Sequence, residues 1–199
     1  WESLTDPEGA LARLGEELVP HADLGIVELV RNSFDADATF SVIELTSVSM
    51  PGGSVQIVDD GRGMTREEIL DDWLLLGSSN KREIKRSPSG RRMVGEKGLG
   101  RLAALRLGRR ATLRSRPVGE PGVEYRLEIS WDAFDDAAAV EDVVLEVVEG
   151  ATEDGPGTTI ELRNLRSPLR KADVKRLARS LVLLSDPFSD ASEFTASLI

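Results

Sequence analysis

Glu28 and Asn32 stand four residues apart, and Asp35 follows three later. On a helix turning about 100° per residue these three fall in one narrow polar stripe, while Ile26, Leu29, Val30 and Phe34 cover the opposite arc. One face is made to pack and the other presents oxygens. A carboxylate and a carboxamide at this spacing can point into a common cavity, where the amide oxygen of Asn32 is a hard ligand for Mg²⁺ and Glu28 a base for a water molecule. The solvated face of an ordinary surface helix shows the same pattern, so the stripe alone does not choose between the two readings.

Other groups of residues can do chemistry as well. Ile57-Val58-Asp59-Asp60-Gly61-Arg62-Gly63-Met64 is an apolar run that ends in an acid and then in glycines spaced for a tight bend. A buried carboxylate at a strand end can accept the exocyclic amine hydrogen of adenine, and Gly61 and Gly63 let backbone approach a planar ring. The plainer reading is an Asp-Gly turn after a strand. Gly95-Glu96-Lys97-Gly98-Leu99-Gly100 leads directly into a helix, and successive N–H groups beside a helix N-terminus suit phosphates, with Lys97 available for an ion pair. It is not the dinucleotide fingerprint, because a basic loop rather than a strand precedes it, nor a Walker A loop, because no Gly-Lys-Ser/Thr follows. Gly157-Thr158-Thr159-Ile160 opens a late strand, where the Thr158 hydroxyl can join a water network around adenine and Asp59. A β-branched residue in a strand needs no such role.

The elements that must position these residues are legible in the pattern. Residues 8–18 read as a short amphipathic helix ended by Pro20, and a second helix opens near Asp23, a plausible N-cap, and runs to about Asp37. Residues 40–48 and 54–58 read as a hairpin around Met50-Pro51-Gly52-Gly53. Helical spacing returns over 66–76, residues 77–94 are polar, basic and broken by Pro88 and Gly90, and 99–107 are helical again. Strands are expected over 111–116, 124–131, 142–149 and 157–163, then a helix over 171–184, while the tail after Asp186-Pro187 shows no clear element. This order is neither that of a doubly wound parallel sheet nor all-β. It predicts an α/β (α+β) two-layer sandwich with a mixed, mostly antiparallel sheet and helices on one face.

Composition narrows the chemistry. The 199 residues contain no cysteine and one histidine, His21, which excludes disulfides, a thiol nucleophile and a thiolate metal site. No apolar run has the length of a membrane span and the start lacks a secretion signal, so the expected location is the cytoplasm. The formal charge of −10 is uneven, for residues 77–116 hold 13 Lys/Arg against only Glu83 and Glu96, a balance of +11 that leaves −21 for the remainder. Such a segment calls for a polyanion, either a nucleotide phosphate tail or nucleic acid, or else is a solvated charged loop and helix face.

In order along the chain, Glu28-x-x-x-Asn32-x-x-Asp35, Asp59-x-Gly61-x-Gly63, Gly95-x-x-Gly98-x-Gly100 and Thr158 resemble the N-box, the first and second glycine boxes and the later threonine of the GHKL superfamily, named for gyrase, heat-shock chaperone, histidine kinase and MutL. The resemblance covers about residues 8–183 and is most marked to the MutL, MORC and ninety-kilodalton heat-shock chaperone branch. It implies the Bergerat ATP-binding fold, ATP with Mg²⁺ as cofactors, Mg²⁺ on Asn32 and Glu28 as the hydrolytic base. Nucleotide contacts are implied for Asn32, Asp35, Asp59, Gly61, Gly63, Met64, Ser78, Ser79, Lys81, Gly95, Lys97, Gly98, Leu99, Gly100 and Thr158. It also implies a lid over about 77–97 whose closure couples ATP to homodimerisation, and a DNA or protein client engaged through other domains. The ATP-binding domain is expected over 1–185, with 186–199 a tail or the start of a further domain, and hydrolysis by the isolated domain is expected to be slow because relatives draw a γ-phosphate lysine from a second domain, a role Lys97 or Lys81 can fill only in part. Histidine kinases generally lack the base that Glu28 supplies. The alternatives are nonetheless a histidine-kinase-like catalytic domain, a non-hydrolysing nucleotide sensor, or a nucleic-acid-binding module using residues 81–116.

Overall fold

The computed structural model describes residues 21–73, 87–91, 104–136, 145–184 and 194–199. Helix α1 (Ala22–Asp35) leads into the antiparallel hairpin β1 (Phe40–Thr46) and β2 (Ser54–Asp59), followed by a π-helical segment, Glu68–Trp73. Beyond it come β3 (Gly108–Arg116), β4 (Val123–Ser130), the short α2 (Trp131–Asp136), β5 (Val147–Ala151), β6 (Gly157–Leu165), α3 (Lys171–Leu184) and β7 (Thr195–Leu198). The strands form one seven-stranded sheet in the order β5-β4-β3-β6-β2-β1-β7. Every neighbouring pair is antiparallel except β1 and β7, so the expected mixed, mostly antiparallel sheet of an α/β sandwich is what the chain builds.

Period-two alternation gives the sheet two faces. Ile43, Val55, Ile57, Leu113, Leu127, Ile160 and Leu162 are buried together with Ile26, Leu29 and Val30 of α1 and Leu177 and Leu181 of α3. Their alternates, among them Glu44, Arg126, Glu128 and Arg163, are exposed on the other face. The two core helices are joined by a bidentate pair: Arg176 donates through Nε and Nη2 to the carboxylate of Asp23, at 3.1 and 3.0 Å. Asp23 was expected to cap α1. It lies instead in the first turn, nearly buried, and His21 occupies the cap position without a side-chain hydrogen bond, because the α3 guanidinium claims the Asp23 carboxylate.

The hairpin and α3 lie where the pattern placed them, whereas three details differ. The described part of the expected 66–76 helix widens into a π segment. The fifth strand begins at Val147, later than expected, and α2 interposes after β4. The tail, which shows no element in sequence, supplies β7, whose Thr195 N–H donates to Thr39 O and Ile199 N–H to Ile43 O, both at 2.9 Å. Phe194, buried, anchors that strand edge-on against Phe34 with ring centres 5.5 Å apart. Residues 8–18 and most of the expected helix over 99–107 lie outside the described residues, except that Ala104 and Leu105 are helical and buried. Among the described residues no helix is long and apolar enough to cross a membrane.

Candidate functional site

Strand register assembles the site. On the helix-covered face, Ile43, Ile57, Ile160, Leu113 and Leu127 are successive cross-strand partners, and Leu45, Val55, Leu162, Ala111 and Ile129 form the next such row. Both rows are wholly apolar. The row at the other end of the same strands is Ser41, Asp59, Thr158, Ser115 and Tyr125, and every member is buried, with relative exposures of 0, 6, 7, 0 and 7%. A polar row of this depth must satisfy itself internally or hold a polar ligand.

Asp59 is its centre. Oδ1 accepts from Gly61 N–H at 2.9 Å and from Thr158 N–H at 3.1 Å, and Oδ2 accepts from Ser33 Oγ at 2.8 Å. A carboxylate offers about four acceptor sites, so one remains. Burial pushes the Asp59 carboxyl above its ordinary 3.8, working against these three hydrogen bonds, with the adjacent Asp60 adding to the rise. The contribution of Asp59 to stability is therefore greatest below pH 3.8 and declines as pH rises through its raised value. Its neighbour goes the other way: although partial burial opposes it, the Thr39 side chain and the Thr39 and Phe40 N–H groups hold Asp60 below 3.8. Asp60 is structural, tying the start of β1 to the end of β2.

The glycines after Asp59 are needed for packing against protein. A Cβ on Gly63, which has φ 63°, would lie 2.2 Å from Arg116 O, and one on Gly61 would lie 3.0 Å from Ala36. Gly157 abuts the Asp59 carbonyl so closely that a Cβ would sit 2.1 Å from it, which sets Thr158 directly across from Asp59. Met64 follows, half-buried against the core, its N–H donating to Ser115 Oγ at 2.6 Å and its carbonyl accepting from the same hydroxyl at 3.0 Å. At the far end of the row Tyr125 donates to Glu120 at 2.7 Å, an acceptor that, with burial, pushes the phenol up to about 12 and keeps it protonated.

Helix α1 meets this end of the sheet through Ser33. Glu28, Asn32 and Asp35 are all half-buried, while Ile26, Leu29 and Val30 are fully buried, as the helical period requires. Ser33, one residue beyond Asn32, is the physical link between helix and Asp59, and it also lies 3.5 Å from Ser41 Oγ. The Glu28 carboxylate is paired with Arg31 one turn later. Arg31 Nε is the one buried side-chain polar atom among the described residues with no hydrogen-bond partner. Sequence reasoning assigned no role to Ser33, Ser41 or Ser115, since only the helix–sheet contact and register put Ser33 and Ser41 beside Asp59 and Ser115 in the same buried row.

Of the expected lid, residues 87–91 are described. They form a turn closed by Gly90 N–H to Ser87 O at 2.8 Å and seated on the end of α1, where Ser89 N–H donates to Asp37 at 3.1 Å and Arg91 donates to Ala38 O at 2.6 Å. Arg91 also stacks over Phe34, 5.1 Å from the ring centre. Asp37 sits below its usual range despite partial burial, held there by Ser87, Ser89 and Arg91. Ser78, Ser79, Lys81, Gly95, Lys97, Gly98, Leu99 and Gly100 lie outside the described residues, so the expected phosphate-binding junction does too.

A buried acid closes a strand end, a helix carrying a carboxylate and a carboxamide is tied to it through Ser33, and a mostly antiparallel sheet lies below, an α/β sandwich of one known class. Residues 23–158, more than half of the chain, match the family described as Histidine kinase-, DNA gyrase B-, and HSP90-like ATPase. The chain belongs to that family. It is similar to the Chaperone protein HtpG of Shewanella denitrificans, 25% identical over 93% of this chain and 31% of the relative, and to that of Shewanella frigidimarina, 24% identical over the same shares. It is also similar to the Putative type II restriction enzyme HgiDII of Herpetosiphon aurantiacus, 27% identical over 82% of this chain and 26% of the relative. The chain thus spans less than a third of the length of these curated relatives.

Proposed function

We propose that the chain binds ATP with Mg²⁺ and hydrolyses it slowly, the cycle driving lid closure and dimer clamping in a larger protein. The observation that carries the reading is Asp59, a buried carboxylate with three protein donors and one acceptor site remaining, set among Ser33, Ser41 and Thr158. That vacancy suits the exocyclic amine of adenine, a donor, and disfavours the carbonyl that guanine presents at the same position. Gly61, Gly63 and Met64 form the loop beside it, and in this reading the Thr158 hydroxyl holds a bridging water.

Among the described residues no group of three or more His, Cys, Asp or Glu side chains can hold a metal ion. The donor set is therefore one amide oxygen, on Asn32, with Glu28 and Asp35 on the same stripe, which fits a hard divalent ion that arrives with phosphates and keeps most of its ligands from them. When bound, Mg²⁺ would neutralise phosphate charge. Glu28 is the base in this reading: its carboxylate, oriented by Arg31 and partly open, takes a proton from the attacking water as the water meets the γ-phosphate. Ser78, Ser79, Lys81, Gly95, Lys97, Gly98, Leu99 and Gly100 carry the lid and phosphate contacts in the same reading.

The relatives are a chaperone and a putative restriction enzyme, so the client, protein or DNA, is set outside these residues. The test is steady-state turnover with Mg-ATP. Glu28→Ala is expected to bind a fluorescent ATP analogue with nearly the wild-type Kd and to lose at least about a hundredfold in kcat. Wild-type turnover in that variant rejects Glu28 as the base.

A further inference from the structure

Ser115 belongs to β3, two strands from Asp59, and no motif marks it. Its hydroxyl is fully buried, so a ligand cannot reach it, and it holds the backbone of one residue on both sides: it accepts from Met64 N–H at 2.6 Å and donates to Met64 O at 3.0 Å. Residues that follow it act on the same loop. Arg116 O fills the space that a Cβ on Gly63 would need, and Val118 N–H donates to Arg62 O at 2.9 Å. Residues 61–64 have left the β2 ladder and carry a left-handed glycine, so these contacts stand in for a strand pairing the loop does not have. In register, Ser115 faces Thr158, whose N–H holds Asp59 Oδ1 at 3.1 Å. One side chain therefore ties the loop beside Asp59 to β3, the strand next to the one whose Thr158 holds the carboxylate.

We propose that Ser115 is a positioning residue of the nucleotide site, holding the Gly61–Met64 loop at the height at which a base can reach Asp59. This deepens the nucleotide reading and rests on it. Replacing the hydroxyl by hydrogen leaves the Met64 N–H and the Met64 carbonyl without this partner, and the loop relaxes toward water to satisfy them. The pocket wall shifts while the apolar rows beneath it keep their packing.

The experiment compares wild type, Ser115→Ala and Ser115→Cys, the last keeping shape and a weak donor. Fluorescent ATP and GTP analogues are titrated with Mg²⁺ against the folded fraction of each, and hydrogen exchange is followed at the Met64 amide. In Ser115→Ala the Kd for the ATP analogue is expected to rise about tenfold and the preference over the GTP analogue to narrow, with Ser115→Cys in between. Met64 exchange should quicken in the same order. If Ser115→Ala does not fold, a rise of a few fold in Ser115→Cys carries the result. Wild-type affinity and base preference in the folded variants overturn the proposal, because a merely structural hydroxyl would lower the folded fraction and leave the Kd of what remains unchanged. No nucleotide binding by the wild type overturns the nucleotide reading itself, and faster Met64 exchange in Ser115→Ala would then mark Ser115 as a tie of the fold alone.

Discussion

The same five strands carry the apolar rows through Ile57 and Val55 at one end and the polar row through Asp59 at the other, and the two ends are stabilised in opposite ways. In the apolar rows burial itself supplies the stability, since each side chain removed from water contributes and none needs a partner. In the polar row burial costs, and hydrogen bonds from Ser33, Gly61 and Thr158 offset only part of that cost, as the raised pKa of Asp59 records. A sheet thus keeps an unfavourable carboxylate at its rim because the rows below it are favourable enough to hold the register. The difference separates residues that make the fold from residues that the fold exists to place.

Substitutions at each end should break that contrast differently. Leu162→Ala, at the centre of an apolar row, is expected to cost about 3 kcal/mol. That loss lowers Tm by about 10 °C in a domain of this size, while the Kd for an ATP analogue, measured on folded protein, stays at the wild-type value. A parallel loss of affinity would show that the two ends are not separable. Asp59→Asn should do the reverse. The amide oxygen can keep the Gly61 and Thr158 hydrogens and the amide nitrogen can donate to Ser33, so stability is retained or rises at neutral pH, where the buried charge is removed. Nucleotide affinity is expected to fall at least about a hundredfold, because the remaining acceptor has become a donor. Retained affinity would reject Asp59 as the base-reading group.

The smallest effect sharpens the comparison at one peptide bond. Asp60 is held below 3.8 where Asp59 is held above it. A lowered folded-state value means that Asp60 stabilises above pH 3.8 and loses that contribution as pH falls through its folded pKa. Asp60→Asn should therefore cost about 1 kcal/mol at neutral pH, by weakening the caps on Thr39 and Phe40, and the gap in Tm between variant and wild type should close on acidification. A gap independent of pH would mean that the carboxylate charge plays no part.

Much of this was legible beforehand. The 3.6-residue period of 22–35 separates Glu28, Asn32 and Asp35 from Ile26, Leu29 and Val30 without reference to any neighbour, and strand alternation puts Asp59 and Thr158 on the buried side with Ile57 and Ile160. Other features were not. Asp23 looks like a helix cap until Arg176, more than 150 residues away in sequence, supplies a stronger partner. Thr195-Ala-Ser-Leu198 has neither length nor alternation enough to announce a strand, and becomes β7 because β1 offers an unpaired edge and Phe194 docks on Phe34.

Local periodicity and residue chemistry, which depend on the chain alone, determined the elements, the polar stripe of Glu28, Asn32 and Asp35, and the family to which their order points. Tertiary structure decided which hydroxyls stand beside Asp59. Ser33 arrives by helix packing, Ser41 by register, and Thr158 because Gly157 before it packs on the Asp59 carbonyl where no side chain fits. Those relations join residues up to 99 positions apart, and a hydrogen bond depends on where two atoms meet in space rather than on the sequence between them.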